Sequence, residues 1–448
     1  MASDNGHTQG FTREQMYAIS EAKEEPAWVK EQREAAYNTW EELPMPTTKD
    51  EEWRRTDISH IDFGAFTPYT DVNGEAVTSV EELPDATKDL VQSSDQRGGL
   101  LYQGDSEVQL TKISEDLREK GVIFTSLEQA VKEHPELVKE YLFTKVMTPQ
   151  YSKFAALNGA FWSGGAFLFV PKNVEVDIPF EALFTVNKPN AVLAQHNLII
   201  LEENASAQFV EVFRSANDEI KTLHNGISEV FLNDNARMNY TSIQSYNQET
   251  YDFSNKRAHI GRDARMTWVV SNFGSKLAKN HIDSVCAGEG ANADALGLYF
   301  LDNTQHLDTG VLLKLETPHT TGESIFKGAL KDKSRSVFQG LIKIDRDAQL
   351  TEAELENKNL LLDKGARADS IPVLEIEADD VKAGHGATVG RINDDQMYYL
   401  RSRGLSKQQA ERVIISGFFK DVTKHIGSKS TKDLIDRLIQ EKIEKIAE

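Results

Sequence analysis

Between Ala378 and Gly390 the chain reads A-D-D-V-K-A-G-H-G-A-T-V-G, an apolar alternation that ends in acidic residues and then in His385, set between Gly384 and Gly386. An imidazole can hold a metal or move a proton near neutral pH, and flanking glycines leave the backbone beside it bare for close approach by a ligand or another chain. The same spacing also suits a tight turn that closes a strand, with the ring hydrogen-bonded locally. A lone histidine lacks the co-ligands a metal centre needs. The acidic pairs Asp379-Asp380 and Asp394-Asp395 are poor candidates for glycoside chemistry, because neighbouring strand residues point to opposite faces and cannot flank one bond.

Other chemistries fail on spacing. Gly384-His-Gly386-Ala-Thr-Val-Gly390 approaches a dinucleotide fingerprint, but its third glycine comes one residue late; Gly427-Ser-Lys-Ser-Thr431 lacks the upstream glycine and the Gly-Lys step of a phosphate loop. Any ATPase is therefore a separate chain. No G-x-S-x-G is present. Cys286 is the only cysteine, which excludes an internal disulfide, a CxxC zinc site and an iron-sulfur cluster held by thiolates of this chain alone.

The elements that must position His385 follow from composition and pattern. With 448 residues, 39% of them hydrophobic and 27% charged, the chain is a globular protein of two or three domains or one elongated repeat array. No apolar run approaches the roughly 18 to 20 residues of a membrane span. The first residues show no secretory pattern, so the expected location is cytoplasmic. A formal charge of −21, from 71 acidic and 50 basic residues with no basic cluster, argues against nucleic acid.

Three zones are expected. Residues 1–153 read as a mainly helical N-terminal domain with Trp28, Trp40 and Trp53, a capping box at Thr12 and Gln15, and a turn-rich linker containing Asn73-Gly74 and Gly98-Gly99. Residues 154–390 carry short β-branched runs, such as Asn197-Leu-Ile-Ile-Leu201, each ended by turn residues. Within them Asn235-Ala-Arg-Met238 recurs as Asp263-Ala-Arg-Met266, with weaker copies at Asn204-Ala205, Gly290-Ala291, Asp347-Ala348 and Gly365-Ala366. Such recurrence predicts a β-solenoid whose two clearest turns stack; a sandwich of antiparallel hairpins, with Asn225-Gly226 as its main turn, is the alternative. Residues 391–448 read as helices, with a capping box at Ser406 and Gln409 and a stripe of Leu434, Ile435, Leu438, Ile439, Ile443 and Ile446 that serves a core or a partner.

Several stretches together resemble a known family: Trp53-Arg-Arg-Thr56; Ala156-Leu-Asn-Gly-Ala-Phe-Trp-Ser-Gly-Gly165; His306-Leu-Asp-Thr309; Lys327-Gly-Ala-Leu330 with Ser334-Arg-Ser-Val-Phe-Gln-Gly340; Asn357-Lys-Asn-Leu-Leu-Leu362; and Leu374 through Gly404. The chain is similar to the SufB/SufD scaffold proteins of iron-sulfur cluster assembly, most of all to SufD, over about residues 25–425. The resemblance implies a mainly β protein, a right-handed parallel β-helix between helical ends, without catalysis of its own. It implies pairing with a SufB-like subunit, docking of a SufC-type ABC ATPase through the C-terminal helical segment, and a transient iron-sulfur cluster shared with SufB. His385 is the residue it places at the shared iron or cluster site; a flavin is left open. Many SufD sequences carry cysteine two positions before this histidine, where Ala383 stands here, so any thiolates at the site would come from the partner.

Two other readings stay open at this point. One is a carbohydrate-active enzyme on a β-helix, which would need a carboxylate cluster and usually export. The other keeps the family but pairs the chain with itself, since a solenoid ends in strand edges open to another strand.

Overall fold

A computed structural model describes residues 10–69, 77, 79–83, 87 and 97–444. The predicted Asn73-Gly74 turn lies outside the described residues.

From Ala166 onward the chain alternates between two long sheets. His306–Leu315 and Arg335–Ile344 belong to one, Thr321–Leu330 and Thr351–Leu361 to the other, and each strand pairs in parallel with the strand one coil away. This is a parallel β-solenoid, not the sandwich of hairpins. Antiparallel pairing joins only Gly99–Gly104 to Glu107–Ile113 and Ile123–Ser126 to Ala166–Val170 among the described residues. Those early strands extend the sheets, so the N-terminal region adds β-structure to its helices. Asn225-Gly226 makes no hairpin; it links Thr222–His224 to Ile227–Leu232 within one sheet.

The recurring turns are the corners of the coil. Asn204, Asn235 and Asp263 all adopt left-handed φ between 56° and 60°, a conformation that Asn and Asp tolerate better than most residues. The alanine after each is buried. Asn235 N donates to Arg262 O and Asp263 N to Glu289 O, and the following strands pair with Met238 opposite Met266. The two turns therefore stack as their sequences predict. Gly365-Ala366, by contrast, lies at the opposite corner, where the chain leaves Thr351–Leu361 for Arg367–Ile376.

The lumen is filled from both sheets by residues such as Phe209, Tyr240, Trp268, Ile199 and Val230, each worth roughly 1.5–3 kcal/mol when removed from water. A polar knot interrupts it: Glu211 accepts from Lys256 at 2.7 Å, Tyr240 at 2.7 Å, Ser242 at 2.7 Å and Asn197 at 2.9 Å, so the buried carboxylate is paired and hydrogen-bonded.

Helices cover the outer faces. On the sheet ending in Arg367–Ile376 lie the N-terminal helices, where Phe154 stacks on Phe253 at 4.2 Å and Trp53 on Phe154 at 5.6 Å. On the other lie Lys407–Thr423 and Lys429–Glu444, whose Ile415, Phe419, Leu434, Ile435, Ile439 and Ile443 pack with Val269, Leu296 and Phe300. From Leu434 to Ile443 the terminal stripe is core within this chain; Ile446 lies outside the described residues. Both capping boxes form as expected, Thr12 with Gln15 and Ser406 with Gln409.

Candidate functional site at the open end of the solenoid

His385 lies within the strand Val381–Arg391, opposite Leu355 of Thr351–Leu361. Leu355 is fully buried in the lumen, and Ala353, also in the lumen, stands opposite Ala383. Period-two alternation puts His385 and Ala383 on that lumen-side face. The face is not closed above them. Val381–Arg391 ends one sheet and Arg367–Ile376 ends the other, so among the described residues two unpaired edges lie at the same end of the solenoid. His385 is exposed, and so are Val373, Ile376 and Val389, each more than 40% accessible.

The tight-turn reading of Gly384-His385-Gly386 is overturned by this placement: all three are extended strand residues, and neither glycine has positive φ. A Cβ added at Gly384, Gly386 or Gly390 would meet nothing within 4 Å. The fold makes no demand for glycine there. What the glycines leave is a bare strip of backbone beside an imidazole with no side-chain hydrogen bond among the described residues, open to something outside the chain.

The layer beneath is cross-linked by side-chain hydrogen bonds. Tyr299 OH donates to Asn359 Oδ1 at 2.5 Å, Asn359 Nδ2 to Asn357 Oδ1 at 2.7 Å, and Asn357 Nδ2 to Phe326 O at 3.2 Å, while Ser370 Oγ also donates to Asn357 Oδ1. Tyr299 crosses over Gly328, one coil on, where an added Cβ would lie 2.0 Å from its ring. Tyr299 was not recognisable as part of this layer in the sequence. The signal available was a large residue exactly one coil from a glycine, which periodicity alone does not single out.

The donor set is sparse. Among the described residues no three His, Cys, Asp or Glu side chains converge as metal ligands. Cys286 is buried, and burial, reinforced by Asp294 and Glu316, pushes its thiol up to about 12, far from the thiolate that ligates iron. The open end presents one imidazole, that of His385, where a cluster wants about four ligands.

Other quoted motifs turn out to be fastenings. Asn158 Nδ2 donates to Gln195 O and Asn225 O, and Gly165, at φ +98°, passes so close to the solenoid that a Cβ would lie 2.0 Å from His196 O. Glu52 to Thr56 crosses three coils: Lys279 and Gln339 both donate to Glu52 O, and Thr56 reaches Asp308 and His306. The block from Leu374 to Gly404 differs in being mostly exposed. Its helix Asp394–Ser402 has no buried residue, with Tyr398 76% and Tyr399 57% accessible, and a cavity of about 720 Å³ opens between it and Lys407–Thr423. Leu400, Val413, Ile414 and Phe418 are among its lining.

Comparison with known proteins matches residues 184–418 to the SufBD core domain of SUF-system FeS cluster assembly, and residues 3–181 to the SufBD N-terminal region. The chain belongs to the SufBD family. An iron-sulfur cluster assembly SufBD family protein of Staphylococcus haemolyticus is 32% identical, the match covering 99% of this chain and 94% of the relative. Those of Staphylococcus epidermidis and Staphylococcus aureus are 32% and 31% identical, with 94% of each relative covered. Placed on the SufBD architecture, the matched core runs through the solenoid and the helix Asp394–Ser402 into Lys407–Thr423. No described helix of this SufBD protein is long and apolar enough to cross a membrane.

Proposed function

We propose that the chain is a non-catalytic, SufD-like scaffold subunit that pairs through its open solenoid end with a SufB-like subunit and docks a SufC-type ATPase on its C-terminal helical segment. The observation that carries this reading is His385, exposed on the lumen-side face of a strand whose outer edge is unpaired. An edge strand is a template for another strand, and exposed apolar residues beside it suit burial in an interface. A second solenoid stacked there would surround the imidazole with its own side chains. A transient iron-sulfur cluster at that junction would be cargo, with His385 as one donor and thiolates from the partner supplying the rest.

The helix Asp394–Ser402 supports the second contact. Nine residues without a buried face are marginal alone, and exposed tyrosines beside an apolar cavity are the residue types that anchor interfaces. Family membership favours cluster assembly over carbohydrate chemistry. Self-pairing is a second reading, because Val373, Ile376 and Val389 would be buried equally well by the same end of another copy.

Co-expression of tagged chain with SufB-like and SufC-type proteins, followed by native mass spectrometry, tests the proposal. A complex holding one copy of this chain, one SufB-like subunit and the ATPase is expected. A homodimer that excludes the SufB-like subunit would select self-pairing; a monomer that captures neither protein would overturn both readings.

A further inference from the structure

Lys327 lies in the strand Thr321–Leu330 on the outer face of the solenoid, only 5% accessible under the helix Lys407–Thr423. Its ammonium donates to Asp421 of that helix at 2.5 Å and sits 5.2 Å from the ring centre of Phe418. Phe418 in turn lines the cavity beside Asp394–Ser402. On the solenoid side Lys327 stands opposite Lys358, and Lys358 opposite Thr388, three residues beyond His385 on the final strand. Lys327 thus fastens the helix Lys407–Thr423 to the sheet that carries the open edge, two strands away from it, while Lys442 ties the following helix to Asp302 and Gln305 at 2.8 Å, farther from that edge.

We infer that Lys327, through its bond to Asp421, is the positioning residue that couples the C-terminal helical segment to the His385 strand. The inference rests on the proposed docking of an ATPase to that segment. Apolar packing of Ile415 and Phe419 can slide by small steps. A charge-assisted bond fixes direction, so displacement of Lys407–Thr423 is delivered to Thr321–Leu330 and, through the in-register ladders, to Val381–Arg391. Without Lys327 the helix would stay docked by its apolar face and by the ties at His425 and Lys442 beyond it, but its movement would no longer be passed directly to the strand Thr321–Leu330.

The test uses the complex with the SufB-like subunit and the ATPase, comparing wild type, Lys327→Met and the charge swap Lys327→Asp with Asp421→Lys. Binding of the ATPase is measured by titration, and the ATP-dependent gain in assembled cluster by iron per complex with and without ATP. Expected is an ATPase Kd within about twofold of wild type in Lys327→Met, loss of at least half of the ATP-dependent gain, and recovery in the swap. An undiminished gain in Lys327→Met overturns the coupling role. So does a Kd raised in step with lost assembly, since Lys327 would then only shape the docking site. Loss in both variants with a lowered melting temperature also overturns it, by making Lys327 a packing residue. Wild type that binds no ATPase fails the functional reading itself, a result distinct from all of these.

Discussion

Thr56 Oγ1 lies 2.5 Å from Asp308 Oδ2 and 2.9 Å from His306 Nε2, joining two stretches 252 and 250 residues apart in sequence. The carboxylate can only accept, so the hydroxyl proton points to Asp308 and the neutral imidazole donates its Nε2–H to the hydroxyl oxygen. Lys279 completes the cluster at 2.9 Å from the same carboxylate oxygen, with both charged side chains almost wholly buried. A buried pair of this kind depends on every remaining hydrogen bond being made.

Thr56→Val should therefore lower stability by about 1–3 kcal/mol, because it keeps the shape of the side chain while leaving His306 and Asp308 short of a partner. Thr56→Ser should recover most of the loss. Urea midpoints of the three proteins decide the matter. Equal midpoints for valine and threonine would mean that the Thr56 hydroxyl adds nothing to the hold that Trp53 and the Glu52 carbonyl already give the N-terminal arm.

His385→Ala should change stability by no more than about 0.5 kcal/mol, since the ring is exposed and has no side-chain hydrogen bond to lose. Assembled iron in the co-expressed complex should fall at the same time. Thermal midpoint and iron content are measured on the same preparation. Unchanged iron removes His385 from the mechanism, and a fall in midpoint that matches the fall in iron makes its role one of packing.

The solenoid was legible because its corners repeat a chemical requirement: a left-handed Asn or Asp followed by a small buried alanine, one coil apart. The capping boxes at Thr12 and Ser406 were legible because both partners lie within four residues. The site was read only in part. His385 stood out for its glycines, but a turn and an exposed edge strand share that spacing, and only the pairing of Val381–Arg391 separates them. The Thr56 and Asp308 clasp could not be read, since nothing local marks residues that meet across the fold. For the Leu434 to Ile443 stripe, pattern gave an apolar face without saying whether this chain or a partner covers it.

Acid should weaken the fold through two histidines. Burial, aided by Lys279, pushes His281 down to about 3; burial, aided by Arg335 and Lys279 and opposed by Asp308, pushes His306 down to about 4. In the unfolded chain each titrates near 6.5. Between 6.5 and those values the unfolded state binds protons that the folded state refuses, so stability is full above pH 6.5 and falls as pH drops toward 4. Each contributes up to roughly 3 kcal/mol to that fall. Asp283 and Glu181 act oppositely, because burial raises their pKa and favours the fold as they protonate. Comparing His306→Gln with wild type isolates one term. The variant should lose less stability between pH 7 and pH 4.5, and parallel curves would show that His306 takes up its proton equally in the folded and unfolded states.

Two glycines in quoted motifs should respond in opposite ways to the same methyl group. At Gly328 a Cβ would lie 2.0 Å from the ring of Tyr299 and 2.6 Å from Asn359 Oδ1, so Gly328→Ala must push aside the tyrosine that holds the layer beneath the open end. Overpacking of that kind costs typically about 1–3 kcal/mol, and breaking the bond from Tyr299 to Asn359 adds to it. At Gly386 the methyl group meets nothing within 4 Å, and alanine is the better residue for a strand at an ordinary φ. Gly386→Ala should leave the isolated chain as stable as wild type or slightly more so. In the complex the order should change, because a methyl group on the bare strip would meet whatever lies against it. Calorimetric melting of the isolated variants, followed by titration of the SufB-like subunit into each, separates the two effects. If Gly386→Ala binds that subunit as tightly as wild type does, the strip of backbone beside His385 lies outside the interface.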